Sequence, residues 1–95
     1  MDSFPPAAPQ NLRAVSIPGA VELAWSPSPE LDLAGYNLYR SAGGEYTRLN
    51  AELLDLPLYR DTAVRAGASY RYTVKAIDRA GNEGDPSDPA AATAE

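Results

Sequence analysis

From Ala68 to Asp78 the chain alternates side chains two by two, with Tyr70, Tyr72, Val74 and Ala76 on one side and Arg71, Thr73 and Lys75 on the other. A period of two is a half-buried strand and cannot form the stripe of a helix. The pattern recurs. Val21, Leu23 and Trp25 alternate with Glu22, Ala24 and Ser26, and Tyr36 and Leu38 alternate with Asn37 and Tyr39 between Ala34 and Ser41. Leu12, Ala14 and Ser16 share a face of a first strand, ended by the turn Pro18-Gly19. Shorter strands are expected over Glu45–Asn50, after the Gly43-Gly44 turn, and over Leu58–Thr62. A last strand falls within Pro86–Thr93, beyond the turn at Gly81-Asn82. Only AELLDL (51–56) has any helical flavour. Pro57 cuts it well short of the ~12 residues a lone helix needs, so it reads as a loop or single turn whose leucines cover one end of the core.

The prolines set the order of these strands. Proline cannot donate to a ladder and is confined to edges, strand starts and bulges. Pro9, Pro18, Pro86 and Pro89 fall in or beside the first and last strands, which are therefore expected at exposed edges or in loops. The strands starting near Ala20, Ala34 and Ala68 have no internal proline and can be central. About seven short strands without a helix give an all-β sandwich.

With 95 residues, 44% of them apolar, the chain is a single globular domain, burying roughly two-thirds of its unfolded surface. The Pro-rich stretch MDSFPPAAP is too stiff for a helix. Residues 1–8 are expected to be a linker, with Met1-Asp2-Ser3 reading as an added start, and residues 9–95 the domain. One Trp and six Tyr supply most of the large side chains, so their ring N–H and O–H groups need partners.

A net charge of −5, with eight scattered basic residues, argues against a nucleic-acid groove. No apolar run approaches the ~20 residues of a membrane span. The chain has no Cys and no His, which removes disulfides, thiol chemistry and the commonest metal ligand. A nucleophile would need Ser or Thr activated by the lone Lys75, predicted on an outward face, or by a carboxylate. Glu30 and Asp32 sit in one loop rather than on facing walls of a cleft, as glycosidase acids do. No catalytic, cofactor-binding or metal-ligating residue is therefore expected, and no enzyme. The acidic run Asp78, Asn82, Glu83, Asp85 and Asp88 offers oxygen ligands, but its spacing is not that of a calcium loop and suits an ordinary turn.

The residues resemble the fibronectin type III family from about Pro9 to Thr93, which implies an all-β, seven-stranded antiparallel, immunoglobulin-like β-sandwich. The family's second strand carries a core Trp, here Trp25 in VELAWSPSP. Its third carries a Tyr and then an aliphatic, here Tyr36 and Leu38 in GYNLYRS. The sixth-strand pattern L-x-P-G-T-x-Y-x-V-x-V-x-A appears as Val64-Arg65-Ala66-Gly67-Ala68-Ser69-Tyr70, followed by Tyr72, Val74 and Ala76. YRDT before that strand and AIDRAGNEG after it look like the bacterial branch, whose modules sit between domains of secreted polymer-degrading enzymes or in cell-envelope proteins. The resemblance implies a non-catalytic spacer or docking module of an extracellular or cell-envelope protein, a monomer whose partners are neighbouring domains of a parent chain. Tyr70 should be a tyrosine corner, hydrogen-bonded to backbone near Val64. The loop that carries the RGD adhesion motif in animal relatives reads DRAGNEGDPSD, without it, and no N-x-S/T acceptor occurs.

The alternative is a carbohydrate- or protein-binding module using exposed Tyr39 and Tyr46 or the loop after Asp78. Tyr39, Tyr46 and Tyr59 are the aromatics least committed to the core, and a flat row of them could stack on sugar rings or cover the stems of Arg40, Arg48 or Arg60. A binding patch has only Tyr39, Ile77 and the loop leucines to draw on. The spacer reading expects no patch, rigid ends and Pro-rich linkers.

Overall fold

The computed structural model describes residues 5–95; the reading of Met1-Asp2-Ser3 lies outside the described residues. Among the described residues seven strands run in chain order: β1 (Arg13–Ile17), β2 (Ala20–Ala24), β3 (Leu33–Ser41), β4 (Thr47–Arg48), β5 (Leu58–Asp61), β6 (Ser69–Asp78) and β7 (Ala90–Thr93). They form a three-stranded sheet, β1-β2-β5, facing a four-stranded sheet, β4-β3-β6-β7, all pairs antiparallel. The proline-flanked strands β1 and β7 lie at edges and β2, β3 and β6 inside, as their lack of internal proline allows.

The alternating residues make the core. Val21, Leu23 and Trp25 from one sheet meet Tyr36, Leu38, Tyr70, Tyr72, Val74 and Ala76 from the other. Trp25 and Tyr36 pack edge to face, ring centroids 5.3 Å apart at 77°, a favoured aromatic geometry. The tyrosine hydroxyls are partnered as burial demands. That of Tyr70 accepts the Arg65 N–H at 2.8 Å, the expected corner, and that of Tyr36 accepts the Ser28 N–H at 2.7 Å. Trp25 departs from the expectation, because its buried Nε1 finds no acceptor among the described residues.

Three elements are shorter or differently placed than the sequence suggests, and each has a local cause. The strand expected over Glu45–Asn50 survives only as Thr47–Arg48. There the Asn50 side chain replaces the ladder, its Oδ1 accepting the Leu38 N–H and its Nδ2 donating to Tyr36 O and Asn37 Oδ1. The last strand begins only at Ala90. Upstream, where Pro86 and Pro89 cannot donate, Ser87 pairs irregularly with Val74 through backbone and hydroxyl. Of the loop leucines, only Leu54 packs on the core, bridging Tyr36, while Leu53 and Leu56 stay exposed. Gly35 admits this loop, since a Cβ there would sit 2.8 Å from Leu54 O and 2.9 Å from Leu53 Cβ.

The polypeptide enters and leaves at opposite ends. Residues 10 and 26 pair beside the loop that leads into β3, whereas Ala94 pairs with Gly67 and Ala68 at the far end of β6.

Candidate functional site

The outer face of the four-stranded sheet carries the residues singled out for ligand binding. Strand parity points Asn37 and Tyr39 outward from β3, and Lys75 and Thr73 outward from β6, with register pairs Asn37↔Lys75 and Tyr39↔Thr73. Glu83 reaches over this face from the segment alongside β6. One of its oxygens accepts from both Asn37 Nδ2 (3.1 Å) and the Tyr39 hydroxyl, and the other lies 3.9 Å from Lys75 Nζ. Lys75 Nζ also sits 5.0 Å from the centroid of the Tyr39 ring, within cation–π range. Partial burial, and then the Glu83 carboxylate, push the Tyr39 phenol up to about 12. Burial of Glu83 works against its ionisation. The hydrogen bonds from Tyr39 and Asn37, with Lys75 nearby, outweigh this and hold its carboxyl below the usual range.

This arrangement bears on the sugar-binding alternative. Tyr59 packs inward against the core, so the row of three tyrosines reduces to Tyr39 and the exposed Tyr46. A sugar stacking on Tyr39 would have to compete with the ammonium already over its ring. Lys75, expected to be a solvated outward cation, is engaged rather than free. Thr73, outward by parity, is nonetheless buried, because its hydroxyl donates to Ser87 O at 2.8 Å.

The acidic residues after β6 are mostly committed to the turn itself. Asp78 Oδ1 accepts the backbone N–H groups of Asn82 and Ala80, at 2.9 and 3.0 Å, and Oδ2 accepts Asn82 Nδ2 at 3.1 Å. The Asn82 backbone N–H above all, partly opposed by burial, holds the Asp78 carboxyl below its ordinary value. Asp85 and Asp88 are exposed. Among the described residues no three His, Cys, Asp or Glu side chains converge as metal ligands would. Glu30 accepts the Ala7 N–H at 3.2 Å, while Asp32 is tied to Arg79 through its backbone carbonyl, at 2.8 Å.

Two features escaped sequence reading. The first is a buried polar link between the sheets. Asp61 on β5, only 2% exposed, accepts two bonds from one Arg40 nitrogen on β3, at 2.9 and 3.1 Å. It also accepts the Tyr72 hydroxyl of β6 at 2.8 Å and the Ala63 N–H at 3.1 Å. Burial and the Asp61 carboxylate push the Tyr72 phenol up, and the Arg40 guanidinium lies 5.1 Å from the Tyr70 ring centroid. The signal was present, since Arg40 follows Tyr36 and Leu38 at inward spacing and Asp61 follows Tyr59 at inward spacing. Opposite charges at inward positions of facing sheets imply a pair.

The second is the outer face of the three-stranded sheet, where Val15, 56% exposed, and Leu58, 57% exposed, line a shallow depression with Ala24. Arg13 and the Glu22–Arg60 ion pair flank it. The patch candidates read from sequence lie elsewhere, and Ile77 among them is buried, paired to Glu83 by a backbone bridge. No helix among the described residues is long and apolar enough to cross a membrane.

No family model matches the chain. It is 38% identical over 88 residues to an amylopullulanase of Thermoanaerobacterium saccharolyticum, a match covering 90% of this chain and 7% of that protein. It is 35% identical over 85 residues to exoglucanase B of Cellulomonas fimi, covering 85% of this chain and again 7% of the relative. Among solved structures it superposes on an Fn3-like protein from Clostridium thermocellum with a TM-score of 0.82 and 33% identity, covering 95% of this chain and 94% of that one.

Proposed function

Because the chain belongs to the fibronectin type III family, we propose that it is a non-catalytic module that spaces or docks neighbouring domains of a longer, extracellular or cell-envelope protein. One observation carries this reading. The chain aligns over nearly its whole length with a small fraction of large polysaccharide-acting enzymes, 7% of the amylopullulanase and 7% of the exoglucanase. A segment that small in an enzyme that large is an accessory unit, whose body we take to be residues 9–95.

The side chains support the reading. Lys75, Asp61, Asp78 and Glu83 hold structural partners inside the fold, and the chain has no His or Cys to serve as proton shuttle or thiolate nucleophile. The docking half of the reading is favoured by Val15, Ala24 and Leu58, an apolar strip with charged flanks of the kind that contacts another protein surface.

Calorimetric titration of the chain with calcium and with a panel of soluble polysaccharides tests the proposal, alongside an assay for release of reducing sugar. Flat titrations and no hydrolysis are expected. A saturable heat with a dissociation constant below about 100 μM, lost in Tyr39→Ala or in Asp85→Ala, would replace the spacer with a binding module.

A further inference from the structure

We propose that residues 5–9 are a strap docked on the domain, which moves the pivot of the interdomain joint off Pro9 and fixes the direction in which the chain approaches. The use of such a joint rests on the spacer reading above; the docking itself is a property of this chain alone.

The segment Pro5-Pro6-Ala7-Ala8-Pro9 has few backbone donors to satisfy, because three of its residues are proline. Its stiffness lowers the entropy lost on docking. Pro6 and Pro9 are buried, while Pro5 and Ala7 face outward. The N–H of Ala7 is spent on Glu30 Oε2 at 3.2 Å, and Gln10 O accepts the Ser26 N–H at 2.9 Å.

Gly84 makes the second seat. A Cβ there would overlap the Pro6 carbonyl oxygen and sit 3.0 Å from its carbon. Gly84 does not have a left-handed φ, so what the position uses is the missing side chain rather than backbone freedom. Its own N–H is anchored on Ala76 O at 2.9 Å.

The loops carrying the two seats are cross-tied by the Arg79 N–H to Asp32 O bond, 2.8 Å, and Ser28 Oγ accepts the Glu30 N–H at 3.2 Å. The strap thus spans two loops that cannot move apart independently. A lead-in free up to Pro9 would swing there. A docked one swings near Pro5, roughly 12 Å further along an extended proline-rich chain.

Backbone ¹⁵N relaxation on the chain tests this. In the parent, Ala7 and Ala8 should have order parameters near the rigid value of about 0.85. Gly84→Ala should drop both below about 0.6 while Tyr36 and Val74 stay rigid. Glu30→Ala, which leaves Pro6 its seat, should speed hydrogen exchange of the Ala7 amide by about tenfold, as loss of a single hydrogen bond does. Mobile Ala7 and Ala8 in the parent overturn the proposal, as does a folded Gly84→Ala in which both remain rigid. Should Gly84→Ala fail to fold, unchanged Ala7 exchange in Glu30→Ala overturns it instead. The titrations above are indifferent to these outcomes, so strap and spacer can fail separately.

Discussion

The two sheets of this sandwich treat their outer faces in opposite ways. On the four-stranded sheet Glu83 gathers Asn37, Tyr39 and Lys75, and Ser87 closes over Thr73, so outward side chains are knitted to a neighbouring segment. On the three-stranded sheet Val15 and Leu58 stand in solvent, flanked by Arg13 and the Glu22–Arg60 ion pair. Alternation tells which way a side chain points; whether water reaches it depends on what folds alongside. The difference follows from chain length between strands. The connection from β6 to β7 is long enough to send Glu83 back over its sheet, whereas β1 and β2 are joined by the tight turn at Pro18-Gly19.

If that contrast is right, substitutions should sort by what covers each residue. Trp25→Ala sets the upper scale. Truncating a buried Trp costs roughly 3–5 kcal/mol of a total of about 5–15, so the variant should be largely unfolded. A cooperative melt within a few degrees of the parent would remove Trp25 from the core.

Asp61→Ala comes next, at roughly 3 kcal/mol, because it strands Arg40 and the Tyr72 hydroxyl. The low end of the usual range applies, since the Arg40 side chain is 21% exposed and can recover water. Tyr70→Phe should cost on the order of 1–2 kcal/mol by leaving the Arg65 N–H without its acceptor, with the fold intact by circular dichroism.

The direct comparison of the faces pairs Glu83→Ala with Leu58→Ser. The first leaves the buried Asn37 amide unpaired and should cost about 1 kcal/mol. The second changes an exposed side chain and should stay within about 0.5 kcal/mol. Equal urea midpoints for the two variants would erase the distinction.

Acid sharpens it. The carboxyl of Glu83 is depressed in the folded state, so its contribution is complete above the ordinary carboxylate value of about 4.3 and fades as pH falls through the lower folded value. Between pH 7 and pH 3 the parent should therefore lose more stability than Glu83→Gln does, as measured by urea midpoints.

Much of the sandwich was legible because its signals are local. Trp25, Tyr36, Tyr70 and Tyr72 announce an inner face by spacing alone, and Pro9, Pro18, Pro86 and Pro89 announce the edges by what they cannot donate. Thr73, Asn37 and Lys75 were harder, because their burial is decided by Ser87 and Glu83, whose return over the sheet leaves no periodic trace. Arg40 and Asp61 lie between these cases. Each occupies a legible inward position, but only their meeting across the sheets makes a charge there tolerable, and that meeting depends on register. The Pro6 seat belongs to the hardest kind, since the property of Gly84 that matters is an absent atom opposite a carbonyl 78 residues earlier in the chain.

The opposite placement of the chain's entry and exit has a mechanical consequence. The molecule is 48 Å long and about half as wide, and β1 and β7 lie side by side at its edges, joined by the Ser16 hydroxyl to Thr93 O at 2.7 Å. Tension between the ends of the module pulls β1 along its own axis. The β1–β2 rungs, from Arg13↔Ala24 to Ile17↔Ala20, must then slide together in shear rather than peel one at a time. Survival under such a load is set by the barrier to that sliding, an unfolding rate rather than an equilibrium. Two folds of this kind with the same resting stability can therefore differ widely in how long they last under load.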